Sequence, residues 1–317
     1  MSELAHIQAA REVIAGRLVR TPVHRIAGAE LDERLEGLNL VFKLEMLQRT
    51  GSFKIRGVLN KLRHLTPEEK ARGVVGMSSG NHAQALAYGA RVEDIPAVIV
   101  MPTYSVAYKV EATKAYGAEV IHCEAADLLE TYESTASERG LTPVHPFDDP
   151  MIIAGAGTAG LELLEDAPEL DAVVVPAGGG GLLSGVATAV KASNSAVRVV
   201  GVEPQGACAI RKSLDAGRMV TLDSVKTVAD GLAPPFTGAN CLDRVRRFVN
   251  DVAVVNDEEI VEALRLAVVK LRVVAEPSAA AGLAALLQGR AGVSPGDTVG
   301  VVLSGGNINA ARLKELL

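Results

Sequence analysis

Arg49-Thr50-Gly51-Ser52-Phe53-Lys54-Ile55-Arg56-Gly57 is the stretch around which the chain is organised. It places a single lysine between two apolar side chains, directly after a flexible Gly-Ser pair. An amine on such an apolar collar loses part of its hydration, which lowers its pKa and frees it as a nucleophile. The stretch alone favours an ordinary surface lysine whose stem lies over Phe53. A catalytic role for Lys54 therefore depends on what the rest of the chain supplies.

Strands and helices alternate on both sides of this stretch. Short apolar strands are predicted at residues 40–44, 73–77, 97–100, 119–122, 171–176, 197–202 and 299–303. Such strands, separated by helical segments, are typical of parallel sheets. We predict an α/β fold of two open twisted sheets with helices on both faces. Residues 1–70 and 148–317 form a large domain, and residues 71–147 form a small inserted one.

Composition excludes several classes of protein. The chain has 317 residues, is 48% hydrophobic, and carries a net charge of -6, which argues against nucleic acid as a partner. Cys123, Cys208 and Cys241 are scattered, which suits a reducing cytoplasm and argues against a zinc site or disulfides. Residues 1–20 read as an amphipathic helix and no run is long and apolar enough for a membrane span, so we expect neither a secretory leader nor a membrane partner.

Four loops are predicted at the carboxyl ends of strands, where open α/β folds bind ligands: residues 78–82, 154–160, 178–181 and 304–307. The second contains Gly155-x-Gly157-x-x-Gly160, which matches the dinucleotide fingerprint, followed by a helix predicted at 159–165. The acidic ribose partner is missing after the next strand, so a tight turn with close packing is favoured. A nucleotide-dependent oxidoreductase remains the alternative from another class.

The glycine run at 178–181 carries the clearest ligand signal. It lies between a β-branched strand and a helix, so successive backbone N–H groups and the positive end of the helix dipole can hold a phosphate. A tight turn alone needs only one or two glycines. No Gly-Lys-Ser/Thr follows, which excludes a nucleoside-triphosphate loop. We therefore predict a phosphate monoester.

Two further loops contain glycines or polar side chains that suit a ligand. Ser78-Ser79-Gly80-Asn81-His82 offers two hydroxyls, an amide and an imidazole, whereas capping a helix needs one oxygen. That surplus fits a carboxylate and a ring hydroxyl. Ser304-Gly305-Gly306-Asn307 permits the close approach of a flat ligand. With the nucleophilic lysine and the phosphate loop, these residues indicate pyridoxal phosphate.

At this point the chain resembles a known family. Ser-Phe-Lys-Ile-Arg-Gly (52–57), Ser-Ser-Gly-Asn-His-Ala-Gln (78–84), Gly-Gly-Gly-Gly-Leu (178–182) and Ser-Gly-Gly-Asn (304–307) stand in the order seen in fold-type II pyridoxal-phosphate enzymes. The resemblance is to the serine/threonine dehydratase and serine racemase branch and covers nearly the whole chain. It implies the tryptophan synthase β-like fold.

The resemblance also implies a role for each candidate residue. Lys54 would hold the cofactor as a Schiff base and take the substrate Cα proton, and Ser79 would act as a second acid/base on the opposite face. The remaining assignments are Phe53 beside the cofactor ring, Gly178, Gly179, Gly180, Gly181 and Leu182 at the phosphate, Asn81 at the ring hydroxyl, Ser304 at the pyridine nitrogen, and Ser78, Ser79 and His82 at the substrate carboxylate.

The implied reaction is the dehydration and deamination of L-threonine or L-serine to a 2-oxo acid and ammonia, in a cytoplasmic homodimer or homotetramer. The alternatives are a serine or other amino-acid racemase and a dehydratase of a bulkier 3-hydroxy amino acid, such as hydroxyaspartate or phenylserine. Biosynthetic threonine dehydratases carry a regulatory domain beyond the last motif, where this chain ends, and we expect no isoleucine feedback by that route.

Two positions depart from the family pattern. Glu203 matches a ligand of the divalent cation that the racemase branch binds, but Ala209 stands where an Asp is needed, so we expect no cation there. Leu129 or Glu130 falls where that branch has a substrate-facing arginine. This departure disfavours hydroxyaspartate, whose second carboxylate would need a cation, and Leu128 and Leu129 suit an apolar β-substituent instead.

Overall fold

The computed structural model describes residues 2–317. The helices in this part of the chain are α1 (Glu3–Ile14), α2 (Gly28–Leu31), α3 (Lys54–Arg63), α4 (Pro67–Arg72), α5 (Asn81–Val92), α6 (Ala107–Ala115), α7 (Leu128–Arg139), α8 (Pro150–Asp166), α9 (Gly181–Ser193), α10 (Ala209–Asp215), α11 (Ala239–Phe248), α12 (Asp257–Leu266), α13 (Pro277–Leu287) and α14 (Ala310–Leu316). The strands are β1 (Val23–Ala27), β2 (Asn39–Leu44), β3 (Val74–Met77), β4 (Ala97–Pro102), β5 (Glu119–Cys123), β6 (Thr142–Pro143), β7 (Ala172–Pro176), β8 (Arg198–Pro204), β9 (Asp251–Val255) and β10 (Thr298–Leu303).

The strands form two sheets. The larger has the order β1-β2-β10-β7-β8-β9, and only its edge pair β1/β2 is antiparallel. The smaller has the order β5-β4-β3-β6 and is parallel throughout. The predicted α/β class is therefore confirmed. All strands of the smaller sheet fall within residues 71–147, but the domain boundaries themselves stay a prediction.

Helices cover both faces of the larger sheet. Because successive side chains of a strand point to opposite faces, Phe42 packs in one core cluster with α12 and α13, while Val41 packs in another with α8 and α9. The same alternation separates Val174 from Val173 and Val175. Each fully buried aliphatic side chain of this kind contributes roughly 1.5–3 kcal/mol. The two layers leave the carboxyl ends of the parallel strands free to form a site.

The glycine-rich segment at 154–160 is not a loop, and that prediction is wrong. Residues 150–166 form one continuous helix, α8, and the glycines face neighbouring helices. A Cβ at Gly155 would lie 2.4 Å from the carbonyl oxygen of Arg56, and one at Gly157 would lie 2.8 Å from that of Gly185. The glycines let α3, α8 and α9 pack backbone to backbone, which offsets their cost of about 1 kcal/mol each in a helix. A nucleotide-binding loop has no place there.

Four other stretches also differ from the prediction. The segment 218–244 is irregular only up to residue 238, because α11 begins at Ala239. Strands β1 and β9 lie at the edges of the larger sheet and were not predicted. The helix predicted at 205–217 is shorter: a 3-10 turn at Gln205–Ala207 precedes α10. Among the described helices, none combines the length and the apolar character that crossing a membrane requires.

Candidate active site

Lys54 is the first residue of α3 and lies at the carboxyl end of the larger sheet. The chain reaches it through two successive residues with positive φ, Thr50 (63°) and Gly51 (70°). A Cβ at Gly51 would lie 2.3 Å from the side-chain oxygen of Asn307, so glycine is required for space as well as for its backbone angle. Phe53 then donates its backbone N–H to the carbonyl oxygen of Ser304 at 3.1 Å. This geometry fixes the start of α3 against the last strand of the sheet.

The ε-amine of Lys54 has no acidic partner in direct contact. Its Nζ donates to the carbonyl oxygen of Pro146 at 2.7 Å and lies 5.2 Å from the centroid of the Phe53 ring. Burial lowers the pKa of Lys54 to about 8, because removal from water disfavours the charged amine more than Cys241 and Glu276 favour it. The amine is therefore available as a free base near neutral pH.

The glycine run lies directly beside this lysine. Gly179 and Gly181 pack on Phe147, the residue after Pro146, and a Cβ at Gly179 would lie 2.4 Å from the Phe147 ring. Gly180 has φ 97° and precedes α9, whose first residue is Gly181. The N–H groups of Gly178–Gly181 make no hydrogen bond to residues that the structure describes. This loop is thus a cradle of free donors at the positive end of a 13-residue helix.

The polar loop at 78–82 begins α5. The Ser78 hydroxyl accepts from the Gly80 N–H at 3.1 Å, and Ser79 is half-buried. His82 is buried, and its Nε2 lies 3.1 Å from the carbonyl oxygen of Val144. Since a carbonyl only accepts, Nε2 carries the proton, and the buried Nδ1 has no partner among residues 2–317. Burial and the nearby Lys54 lower the pKa of His82 to about 3, so the imidazole is neutral.

Side-chain amides connect this loop to the last strand. Asn81 donates to a carboxylate oxygen of Glu276 at 2.6 Å and accepts from Asn307 at 2.9 Å. Asn307 also donates to the carbonyl oxygen of Thr50 at 2.8 Å. Glu276 is buried, its second oxygen has no partner in the described chain, and burial followed by repulsion from Asp230 raises its pKa to about 7. Four segments distant in sequence thereby converge on one place.

Glu203 has a structural partner set. It is buried, and its two oxygens each accept a backbone N–H at 2.8 Å, from Ile210 and Arg211, at the start of α10. Burial raises the pKa of this carboxyl to about 8. Within residues 2–317, no group of three or more His, Cys, Asp or Glu side chains forms a candidate metal site. Glu203 thus caps a helix, and its role as a cation ligand stays an untested prediction.

Phe53, the neighbour of Lys54, contacts Ser304 through its backbone N–H. Pro146 contacts Lys54, and the next residue, Phe147, packs on the glycine cradle. Leu182, which follows the cradle in sequence, is buried. No role was predicted for Pro146, Glu276 or Asn307. Two signals could have found the first two: His-Pro-Phe-Asp follows the smaller sheet directly, and Glu-Pro precedes the alanine-rich α13.

The fold and site define a pyridoxal-phosphate enzyme. A family model described as "Pyridoxal-phosphate dependent enzyme" matches residues 14–305, and the chain belongs to that family. It is 42% identical over 308 residues to an L-threonine ammonia-lyase of Thermotoga maritima, which covers 96% of this chain and 76% of that protein. It is 41% identical over 324 residues to a serine racemase of Oryza sativa subsp. indica, covering 100% and 94%.

Solved structures agree with this assignment. The maize serine racemase superimposes with a TM-score of 0.92 at 40% identity, over 98% of this chain and 95% of that one. The fold-type II prediction is confirmed, and pyridoxal phosphate is the cofactor. The residues present fit it: free N–H groups in the cradle suit its phosphate, and the unpaired amine of Lys54 suits its aldehyde.

Proposed function

We propose that the protein is a threonine/serine ammonia-lyase that eliminates the β-hydroxyl of L-threonine or L-serine and releases a 2-oxo acid and ammonia. The observation that carries this proposal is the environment of Lys54. Its amine is partly buried, lacks an ion-pair partner and has a pKa lowered to about 8. Its contact Pro146 is followed by Phe147, which packs on the phosphate cradle. A lysine whose role was to stabilise the fold would be paired, as others in this chain are.

Lys54 has two tasks in the proposed reaction. It attaches the cofactor, and after the substrate amine has replaced it there, its free amine takes the Cα proton. Bound pyridoxal phosphate supplies the electron sink that makes this proton acidic. A base works best when its pKa lies near the working pH, which the burial of Lys54 achieves. The contact to the carbonyl oxygen of Pro146 orients the amine toward the cradle side of the site.

The first turn of α5 would bind the substrate carboxylate. Backbone N–H groups at a helix start have no partner inside the helix, and α5 begins directly after Ser79-Gly80. The hydroxyls of Ser78 and Ser79 add donors. Because the neutral His82 contributes no positive charge, the helix dipole, hydroxyls and backbone would bind this anion. Such binding holds the Cα–H bond in the orientation that Lys54 needs.

Ser304 would favour rapid elimination. If it meets the ring nitrogen of bound pyridoxal phosphate, a neutral serine need not protonate that nitrogen, so negative charge at Cα would be stabilised less than it would be beside a carboxylate partner. Rapid loss of the β-hydroxyl relieves that charge. The preferred β-substituent stays open, because Leu128 packs with Tyr132 in the core of the smaller sheet and Leu129 is 46% exposed. Cytoplasmic location and a homodimer or homotetramer remain predictions.

A serine racemase is the second candidate, and Ser79 is the residue that favours it. Its hydroxyl lies on the loop that faces the substrate, where a group opposite Lys54 could return a proton to Cα. The 41% identity to a serine racemase supports the same reading. The two candidates differ only in whether the β-hydroxyl leaves before that proton is returned.

The test is a product panel. The cofactor-loaded protein is incubated with L-threonine, L-serine, hydroxyaspartate and phenylserine, with the D-forms as controls, and ammonia, 2-oxo acid and D-amino acid are measured. We expect ammonia and 2-oxo acid in equal amounts from L-threonine and L-serine. D-serine formed faster than pyruvate would reverse the order of the candidates. Ser79→Ala should then remove racemisation and retain most of the elimination, with Ser193→Ala, on a helix end, as the matched control.

A further inference from the structure

A second buried lysine lies at the site, and the reaction described above does not use it. Lys109 is on α6, which belongs to the part of the chain that forms the smaller sheet. It donates to the carboxylate of Asp230, which lies between α10 and α11 in the part that forms the larger sheet. The Lys109 side chain is 5% exposed and the Asp230 side chain 47%. The pair therefore crosses from one side of the molecule to the other, with its lysine end buried and its aspartate end at the surface.

The stem of Lys109 supports the substrate loop from behind. A Cβ at Gly80 would lie 3.1 Å from its Cδ and 3.2 Å from its Nζ. Gly80 is the residue between Ser79 and the first residue of α5. The ammonium thus lies against the backbone that is proposed to receive the substrate carboxylate. A displacement of Lys109 would remove the support from this loop.

The aspartate end of the pair is anchored. Gly231, the next residue, donates its N–H to the hydroxyl of Ser278 at 2.9 Å, at the start of α13. Val228 donates its N–H to Asp257 at 3.0 Å, at the start of α12. Asp230 therefore lies in a turn that hydrogen bonds to the first residues of α12 and α13 hold in place. Lys109 is fixed by a partner that does not itself depend on the substrate loop.

The charge of Lys109 is secure. Burial opposes it, but Asp230 and then Glu276 outweigh that effect and raise the pKa of Lys109. Glu276 also holds Asn81, so the same charge cluster contacts the substrate loop at both Gly80 and Asn81. The raised pKa keeps Lys109 charged over the neutral range, so its contact with Asp230 does not depend on pH there.

We propose that Lys109 is a positioning residue: paired with Asp230, it holds the loop Ser78–Asn81 in the arrangement that receives the carboxylate of the amino-acid substrate. The inference rests on the proposed function for the identity of that substrate, while the contact itself can be tested without turnover. If the pair positions this loop, breaking it should weaken substrate binding more than it slows the chemical step.

The experiment combines hydrogen exchange with kinetics on the cofactor-loaded protein. Lys109→Met, Asp230→Asn and the double variant are compared with Lys114→Met, an exposed lysine on the same helix. We expect amide exchange in residues 78–84 to be about tenfold faster in each single variant than in the unsubstituted protein. The double variant should exchange at the same rate as the single variants. With L-threonine, KM should rise about tenfold while kcat stays within about threefold. Asp230→Glu, which keeps the charge at a half-exposed position, should restore most of the protection.

Three results would overturn the proposal. Unchanged exchange in Lys109→Met and Asp230→Asn would show that the pair does not hold the loop. Effects of the two substitutions that multiply in the double variant would show that the residues act independently. A fall in kcat at constant KM would assign the pair to another step. If no substrate is turned over, the proposed function fails and the exchange measurement still decides this one, because it requires no substrate.

Discussion

Helix α3 carries two basic side chains, two residues apart, in opposite situations: the buried Arg56 and the partly buried Lys54. Arg56 is 1% exposed and fully paired: its guanidinium contacts Glu45 at 2.7 Å and Glu162 at 2.8 Å. Lys43 completes this cluster at 2.7 Å from Glu162, so two positive and two negative charges balance. Lys54, at the start of the same helix, has only a backbone carbonyl as its contact. The first turn of α3 thus carries both an unpaired amine, at Lys54, and a fully paired guanidinium, at Arg56.

The difference separates structure from chemistry. A buried charge that is fully paired keeps its ordinary protonation state and holds elements together, here β2, α3 and α8. A buried amine without an ion-pair partner has its pKa shifted toward neutrality, which costs stability and gains reactivity. Burial also favours the uncharged forms of Glu276 and His82, which lie near Lys54: it raises the pKa of Glu276 to about 7 and lowers the pKa of His82 to about 3. The unsatisfied groups collect where the cofactor belongs.

The largest expected effect comes from substitution of the unpaired Lys54. Lys54→Ala should lower the rate of ammonia release from L-threonine by about 10⁴-fold or more, because it removes both the attachment point and the base. Its free energy of unfolding without cofactor should not fall, since the lost amine was destabilised by burial. Lys61→Ala, on the same helix and paired with Asp149 at the surface, is the control and should leave the rate unchanged. A large loss of stability in Lys54→Ala would contradict the contrast between the unpaired Lys54 and the paired Arg56.

Substitution of the paired Arg56 should instead lower the stability of the fold. Arg56→Met leaves the fully buried Glu45 without a compensating charge, which should lower the free energy of unfolding by about 3–5 kcal/mol. Arg63→Met, further along α3 and partly exposed beside Glu93, should cost no more than about 1 kcal/mol. Urea unfolding followed by circular dichroism measures both. Equal costs for the two arginines would mean that burial of the Arg56 network is unimportant.

A smaller effect should appear as a pH dependence of stability. The folded-state pKa of Glu276 is about 7, above the ordinary value of 4.5, so the folded protein holds its proton more tightly. Its contribution to stability is therefore complete below about pH 4.5 and is lost as the pH rises through 7. Relative to Glu276→Gln, which does not titrate, the cofactor-free protein should lose about 3 kcal/mol across that range. The same comparison with the exposed Glu36→Gln should be flat. A wild-type stability that stays constant, or rises, relative to Glu276→Gln as the pH increases would contradict the account.

The sequence allowed the two kinds of local feature at the site to be predicted. Lys54 with its apolar neighbours and the run Gly178–Gly181 are each readable from a few adjacent residues, because their chemistry is local. The alternation of strands and helices then placed both at the same edge of a sheet. The position of Asn81 in a polar loop followed in the same way.

The remaining features depend on contacts that no short window contains. Gly155 and Gly157 were interpreted as a turn because glycine disfavours helices, yet they lie in α8, where only the neighbouring helices explain them. Glu276 lies at the site because its backbone N–H donates to the carbonyl oxygen of Gly305, just after β10, and nothing in Glu-Pro alone indicates that position. The pairing of Lys109 with Asp230 joins residues 121 positions apart.

The most direct test of the account is chemical trapping of the cofactor. Purified protein is loaded with pyridoxal phosphate, reduced with borohydride, digested and mapped by mass spectrometry, with Lys54→Ala treated in parallel. The account predicts loss of the visible absorption band on reduction and one phosphopyridoxyl adduct, on Lys54, that is absent from the variant. An adduct on Lys109 or on any other lysine in place of Lys54, or no adduct at all in the loaded protein, would contradict the central claim.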